Sequence, residues 1–220
     1  TTRKAYRVGI KYKMKKMKTS VKNQISKSKL CMAVFVFAII SMLSIGCTPT
    51  PTPTPCNTSN TLFHQIFTNV ATAPGDTDIV TYDSEVHEYY FKLSANKTVC
   101  SIGYQSHPTL PTYLIQLRDS TTQTTLFSYT GTFSASATSY VSVPTVALTA
   151  GHIYTVRRIA ISYGGLFSNI VGRIAKKNGA MSLPSFPYTV GVMSVIGSNF
   201  YQNAGAAPNF GIPFIDIVFQ

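Results

Sequence analysis

The chain has 220 residues, no Trp, and 19 Lys+Arg against 7 Asp+Glu, a formal net charge of +12. Residues 1–46 hold 11 of the basic residues and no acid, which leaves 8 basic residues against all 7 acids in residues 47–220. A nucleic-acid binder needs its basic patch on the part that folds, so that class is excluded. The apolar and aromatic content of residues 57–220 excludes a mainly disordered chain.

Residues 1–46 read as a basic leader and signal peptide. KYKMKKMKTSVKNQISKSK (11–29) is followed by LCMAVFVFAIISMLSI (Leu30–Ile45), a basic stretch before a short apolar run. At 16 residues the run is shorter than the roughly 20 of a spanning helix. Met14 and Met17 are the candidate translation starts, with the residues before them as read-through. The run ends Leu43-Ser44-Ile45-Gly46-Cys47, which resembles a bacterial lipoprotein processing site. That resemblance implies acylation of the Cys47 thiol, which then heads the mature chain. Two departures stand out: Ser44 sits where Leu is commonest, and Leu43 is one place early. The alternative is an uncleaved signal anchor with its positive residues inside. Both place the remainder beyond the cytoplasm.

Residues 47–61 form the lipidated Cys and spacer. TPTPTPTP (Thr48–Pro55) biases the backbone to extended polyproline II geometry and lifts the downstream domain off a bilayer. The expected location is the cell envelope, as a membrane-anchored, extracytoplasmic lipoprotein at the outer membrane or cell surface. No acidic run stands after Cys47 to choose the leaflet. With Cys31 in the apolar run and Cys47 acylated, Cys56 and Cys100 remain as a candidate disulfide in an oxidising compartment. The alternative is two unpaired thiols. No CxxC is present, so cysteines supply no zinc site.

Residues 62–220 read as an all-β domain, an antiparallel, jelly-roll-like β-sandwich. Alternating runs recur every 8–12 residues: His87–Leu93, Val99–Tyr104, Tyr113–Asp119, Thr124–Gly131, Tyr140–Leu148, His152–Ser162 and Phe214–Gln220. The pleat puts His87, Tyr89, Phe91 and Leu93 on one face, and likewise Cys100, Ile102 and Tyr104, and Tyr113, Ile115 and Leu117. No helix of 10 or more residues is expected from Phe63 onward. The Gly-, Pro-, Ser- and Asn-rich stretch Gly164–Pro213 is expected to hold long loops, short strands or a helical turn near Ile174–Lys177.

The order EYYFKLSANKTVCSIGY, QLRDSTTQTTLFS (Gln116–Ser128), LTAGHIYTV (Leu148–Val156) and the closing FIDIVFQ resembles the DUF4082 family. The resemblance covers roughly Phe63–Gln220 and implies a β-sandwich of secreted and cell-surface bacterial proteins. Arg118 and Ser139 stand where that family often has Trp. The family implies no activity.

Five of the seven acids, Asp76, Asp78, Asp83, Glu85 and Glu88, fall within 13 residues. Oxygen ligands gathered on one loop fit calcium, with Asp76, Asp78, Asp83 and Glu85 as the weak candidate ligands. A solvated acidic loop is the plainer reading, and no EF-hand spacing is present. The four histidines, His64, His87, His107 and His152, share no metal-ligand spacing. His87, beside Glu85 and Glu88, reads as a strand-edge residue. There is no GxSxG elbow, and the SxxK of Ser94–Lys97 falls at a hairpin turn without companion motifs. An enzyme is therefore not expected.

Tyr and Phe on loops stack on sugar rings, and Tyr163, Phe167, Tyr188 and Tyr201 in the Gly-rich stretch are the candidate ligand-binding residues. Arg157-Arg158 and Lys176-Lys177 read as solvated or ion-paired. Asp119-Ser120-Thr121 resembles a bacterial O-glycosylation site on an exposed turn. The expected function is a lipid-anchored, non-catalytic envelope module for ligand or glycan binding or adhesion. The alternative is a structural or assembly component of an envelope protein complex, and less favoured still is a small envelope hydrolase. The expected partners are the membrane, through the lipid, and a glycan or envelope protein, with no nucleic acid.

Overall fold

The first described element is a helix, α1 (Leu62–Ala71). The computed structural model describes residues 56–80, 84–105, 112–161, 172–179, 185–202 and 205–220, which belong to one compact unit, Thr54–Gln220. The expected signal peptide, Cys47 and the Thr-Pro tract lie outside the described residues. Among the described residues no helix is long and apolar enough to cross a membrane.

The helix corrects the expectation that none of this length occurs. Thr61 caps it, its Oγ1 accepting from the His64 N–H at 3.0 Å. Phe63, Ile66, Phe67 and Val70 recur at i, i+3, i+4 and i+7 and are all buried. Ten residues are marginal as an isolated helix, so packing holds this one. Phe63 stacks on Tyr89 at 4.6 Å, and Phe67 meets Phe214 edge-on at 4.9 Å. Burying such a side chain contributes about 1.5–3 kcal/mol, more than the propensity of the whole sequence supplies. Past the C-cap Thr72, Pro74 and Gly75 (φ +85°) end the helix and turn the chain into the first strand.

Among the described residues the helix is succeeded by thirteen strands: β1 (Asp76–Val80), β2 (Val86–Leu93), β3 (Lys97–Tyr104), β4 (Tyr113–Asp119), β5 (Thr124–Gly131), β6 (Ser139–Leu148), β7 (Ile153–Ala160), β8 (Arg173–Lys177), β9 (Tyr188–Val190), β10 (Met193–Gln202), β11 (Gly205–Pro208), β12 (Ile212–Pro213) and β13 (Asp216–Phe219). All pairings are antiparallel. A seven-stranded sheet runs β11-β10-β2-β7-β4-β5, with β9 also on β10, and two three-stranded sheets run β13-β3-β6 and β1-β8-β12. The small sheets and α1 lie on one side of the large one: Phe91 meets Phe219, Tyr104 meets Tyr113, and the Tyr89 hydroxyl donates to Ile215 O at 2.8 Å. The protein is an all-β antiparallel sandwich, as the sequence pattern led us to expect.

Several local expectations give way. Ile174–Lys177 is strand, because β8 is held between β1 and β12 and buries Ile174 and Ala175. The Gly-rich stretch contains the ten-residue β10, paired with β2, β9 and β11. The closing strand starts at Asp216, two residues later than the pattern implied, because Phe214 and Ile215 turn toward α1 and Tyr89. Strict alternation fails in β3, where the register shifts between Val99 and Ser101. Val99, not Cys100, joins Ile102 and Tyr104 in the core. Cys100 instead forms a disulfide with Cys56, Cα to Cα 5.9 Å.

Two polar latches reinforce the sandwich. The fully buried Asp216 accepts from the Thr61 hydroxyl at 2.5 Å and the Tyr140 hydroxyl at 2.8 Å, joining the helix cap, β6 and β13. Tyr140 reaches it by lying across Gly103, where an added Cβ would fall 2.5 Å from the ring. Burial raises the Asp216 carboxyl above its usual range against those two bonds. At the other end of β4, Asp119 binds His152 Nδ1 at 2.7 Å and accepts from the amides of Thr121 and Thr122. Burial pushes the Asp119 carboxyl up, but the bonds from His152, Thr122 and Thr121 outweigh it and hold the group low.

Candidate functional site

The inner face of the seven-stranded sheet builds the core, so its chemistry toward partners lies on the outer face. The register writes that face out row by row. Leu114, Ile159, Val86 and Tyr201 form one row across β4, β7, β2 and β10. Gln116, Arg157, Glu88 and Asn199 form the next. Arg118, Thr155, Tyr90 and Gly197 form the third. An apolar row with an exposed tyrosine thus borders a polar row, with a second polar row beyond it.

The polar groups are tied to one another. Gln116 Oε1 accepts from Arg157 Nε at 2.8 Å and Nη2 at 2.5 Å, which ties the guanidinium to its cross-strand neighbour. Tyr90 donates to Glu88 Oε1 and is also bonded to Tyr201. Burial first, then these bonds, raises the Tyr90 phenol far above its ordinary value. Arg157 is lowered by burial and next by the neighbouring Arg118 cation, against the pull of Glu88. Arg118 sits where the β4–β5 register shifts, between Leu117 and Arg118, and its Nε is buried with no hydrogen-bond partner among the described residues. Leaving such a donor unmatched costs about 1–3 kcal/mol. Tyr201, 37% exposed, presents an open ring beside this network.

Tyr201 is the sequence candidate that this face retains. Tyr188 pairs with Val195 on the core side of β10, packs against Phe186 at 5.3 Å and does not meet Tyr201. Tyr163 and Phe167 lie outside the described residues. The acidic stretch is not one loop: Asp76 and Asp78 are on β1, Glu85 precedes β2, and Glu88 is within it. Asp78 is engaged by Arg173 at 2.5 Å, and Asp83 lies outside the described residues. Among the described residues no three His, Cys, Asp or Glu side chains gather to hold a metal.

The basic pair at 157–158 is not a solvated pair. Arg157 faces outward, whereas Arg158 is wholly buried. Its Nε donates to the Tyr104 hydroxyl at 3.0 Å, its Nη1 to Ser84 O at 2.8 Å, and its Nη2 lies 3.1 Å from His87 Nδ1. His87 is not at a strand edge of the sheet either, since β2 is flanked by β10 and β7. Burial, then the Arg158 charge, holds the His87 imidazole well below its usual value. Lys176 lies over the Phe210 ring at 4.8 Å, while Lys177 is exposed.

The Asp119-Ser120-Thr121 turn is only partly open. Ser120 Oγ pairs with Thr155 Oγ1 at 2.6 Å, and Thr121 Oγ1 accepts from the Ile153 N–H at 2.8 Å. Both hydroxyls next to the Asp119–His152 pair are therefore engaged in structure.

Tyr90, Gln116, Arg118 and Arg157 were missed as site residues in the sequence. The signal that marks them is phase: each falls on the strand position opposite the apolar alternation. No family model matches this chain, and no curated protein does.

Proposed function

We propose that this protein is a lipid-anchored module of the cell envelope that binds glycan, without catalysis, on the outer face of its seven-stranded sheet. The observation that carries the reading is the pairing of the half-buried Tyr90 with the exposed Tyr201 beside Arg157, Gln116 and the buried Glu88 on the outer face. An aromatic ring covers the apolar face of a sugar, and neighbouring charged and amide groups bond its hydroxyls. A strand-borne site is also held more rigidly than one on loops, which lowers the ordering cost of binding. The anchor half of the proposal rests on the Gly46-Cys47 junction after the apolar run and on the Thr-Pro spacer. The non-catalytic half draws support from the engaged hydroxyls around Asp119 and His152.

The test is a glycan array probed with the full chain, alongside Tyr201→Ala. Binding of carbohydrate that falls about tenfold or more in the variant, at unchanged melting temperature, supports the proposal. No carbohydrate binding, together with envelope crosslinking to a single protein, overturns it in favour of an assembly component. Mass spectrometry of the membrane fraction checks the anchor: a diacylglycerol modification on Cys47 is expected, and an unmodified Cys47 rejects it.

A further inference from the structure

The outer face holds more positive charge than its own contacts use. Arg118 faces Thr155 and Gln116 faces Arg157, so the two guanidiniums are diagonal neighbours across the β4–β7 pair. Two like charges at that separation repel, and Arg157, disfavoured as a cation first by burial, is disfavoured further by Arg118. Arg157 is anchored by Gln116, a neutral group that cancels none of the charge. Glu88, opposite Arg157 on β2, is the carboxylate among the described residues of these rows, and it already accepts from the Tyr90 hydroxyl. One carboxylate so occupied faces two guanidiniums. Arg118 Nε, meanwhile, is buried without a hydrogen-bond partner among the described residues. The β4–β5 register shifts beside this side chain, with Leu126 of β5 as the extra residue.

We infer that the glycan is acidic: the Arg118–Arg157 pair receives the carboxylate of a uronate sugar in an extended polysaccharide. This rests on the glycan reading above and narrows it. A planar guanidinium offers parallel N–H donors that match the two oxygens of a carboxylate. The incoming anion relieves the repulsion between the arginines and supplies an acceptor on the Arg118 side of the pair. Tyr201, exposed on the row next to that of Arg157, covers a sugar ring of the same polymer. Charge complementarity selects the acid, and the open aromatic ring beside it selects a sugar over an acidic peptide.

The experiment measures binding of the full chain, in detergent, to polygalacturonate, to the same polymer fully methyl-esterified, and to polyglutamate. Polygalacturonate is expected to bind at least about tenfold more tightly than either of the others, with affinity falling as salt rises. Arg118→Gln is expected to abolish the preference for the free acid, and Arg118→Lys to keep part of it, since charge returns without the fork. Circular dichroism melts of both variants establish that they fold. Should Arg118→Gln fail to fold, the Arg118→Lys protein and the esterified polymer still decide the question. Equal binding of free and esterified polymer overturns the acid inference while leaving the glycan reading standing. Equal binding of polyglutamate overturns it in favour of an acidic peptide, and no binding to any polysaccharide overturns both.

Discussion

Arg157 and Arg158 are consecutive in the chain and identical in chemistry, yet the β7 pleat sends them to opposite faces of the sheet. Arg158 is enclosed by Tyr104, Ser84 and His87, with the Tyr104 and Tyr113 rings 5.8 and 5.4 Å from its guanidinium carbon. Arg157 is held by one glutamine and looks outward next to a second cation. On the inner face Arg158 is matched by these groups from within, and what it gives is rigidity and a defined end to the core. The outer face leaves charge and an aromatic ring available. One residue of phase therefore separates a structural arginine from one suited to meet a ligand.

The sharpest way to break this contrast is to remove each arginine in turn. Arg158→Met leaves Tyr104, Ser84 and His87 without their donor, and is expected to cost about 3 kcal/mol or more in urea unfolding. Arg157→Met is expected to cost less than about 1 kcal/mol in the same assay, as half-buried surface pairs do. Equal losses at the two positions would erase the distinction.

Acidity probes the inner face next. The folded His87 pKa lies below its unfolded value of about 6.5. Below that pH the unfolded chain takes up a proton that the folded chain refuses, so stability falls as pH drops, by at most about 1.4 kcal/mol per pH unit. The Ser84 N–H, 3.4 Å from His87 Nε2, and the Arg158 guanidinium both oppose the added proton. Asp216 works the other way, because its raised pKa lets the folded state take up a proton first as pH falls. Asp119 keeps its contribution until pH falls below about 3.9, since its folded pKa is depressed. Unfolding curves between pH 7.5 and 5 should therefore flatten in His87→Gln, and an unchanged slope would show that His87 is not the group responsible.

A smaller effect sharpens the role of the helix cap. Thr61→Ala removes both the cap to His64 and the donor to Asp216, at an expected cost of about 1–2 kcal/mol. Thr61→Ser should recover most of it. If a thermal melt shows the alanine variant unchanged, α1 is held by its apolar face alone.

Much of the molecule was legible without coordinates. β4 and β5 were read to their end residues, and β2, β6 and β7 to within two, because one buried face forces a period of two onto the side chains. The helix was equally legible in principle, since Phe63, Ile66, Phe67 and Val70 carry the helical period. It was hidden by aromatic and β-branched residues that read as strand when taken one at a time. The Cys100 side of β3 was not legible, because a bulge resets the phase and nothing local in Val99-Cys100-Ser101 announces it. Of the site, Tyr201 alone was picked out in advance. Its companions Tyr90, Gln116, Arg118 and Arg157 come from three other strands, whose neighbours are not their neighbours in sequence.

Sequence by itself determined the class of the fold and the alternation of buried and exposed positions, because both arise from local pleat and from the cost of wetting apolar side chains. It determined as well the order of a basic stretch, an apolar run, a cysteine and a Thr-Pro tract. Only the tertiary structure decided which strands lie side by side, and hence that Arg118 and Arg157 share a face with Tyr90 and Tyr201 while Arg158 and His87 are shut inside. Strand order is set by loop closure and by the fit of whole layers, and neither is written in any single segment.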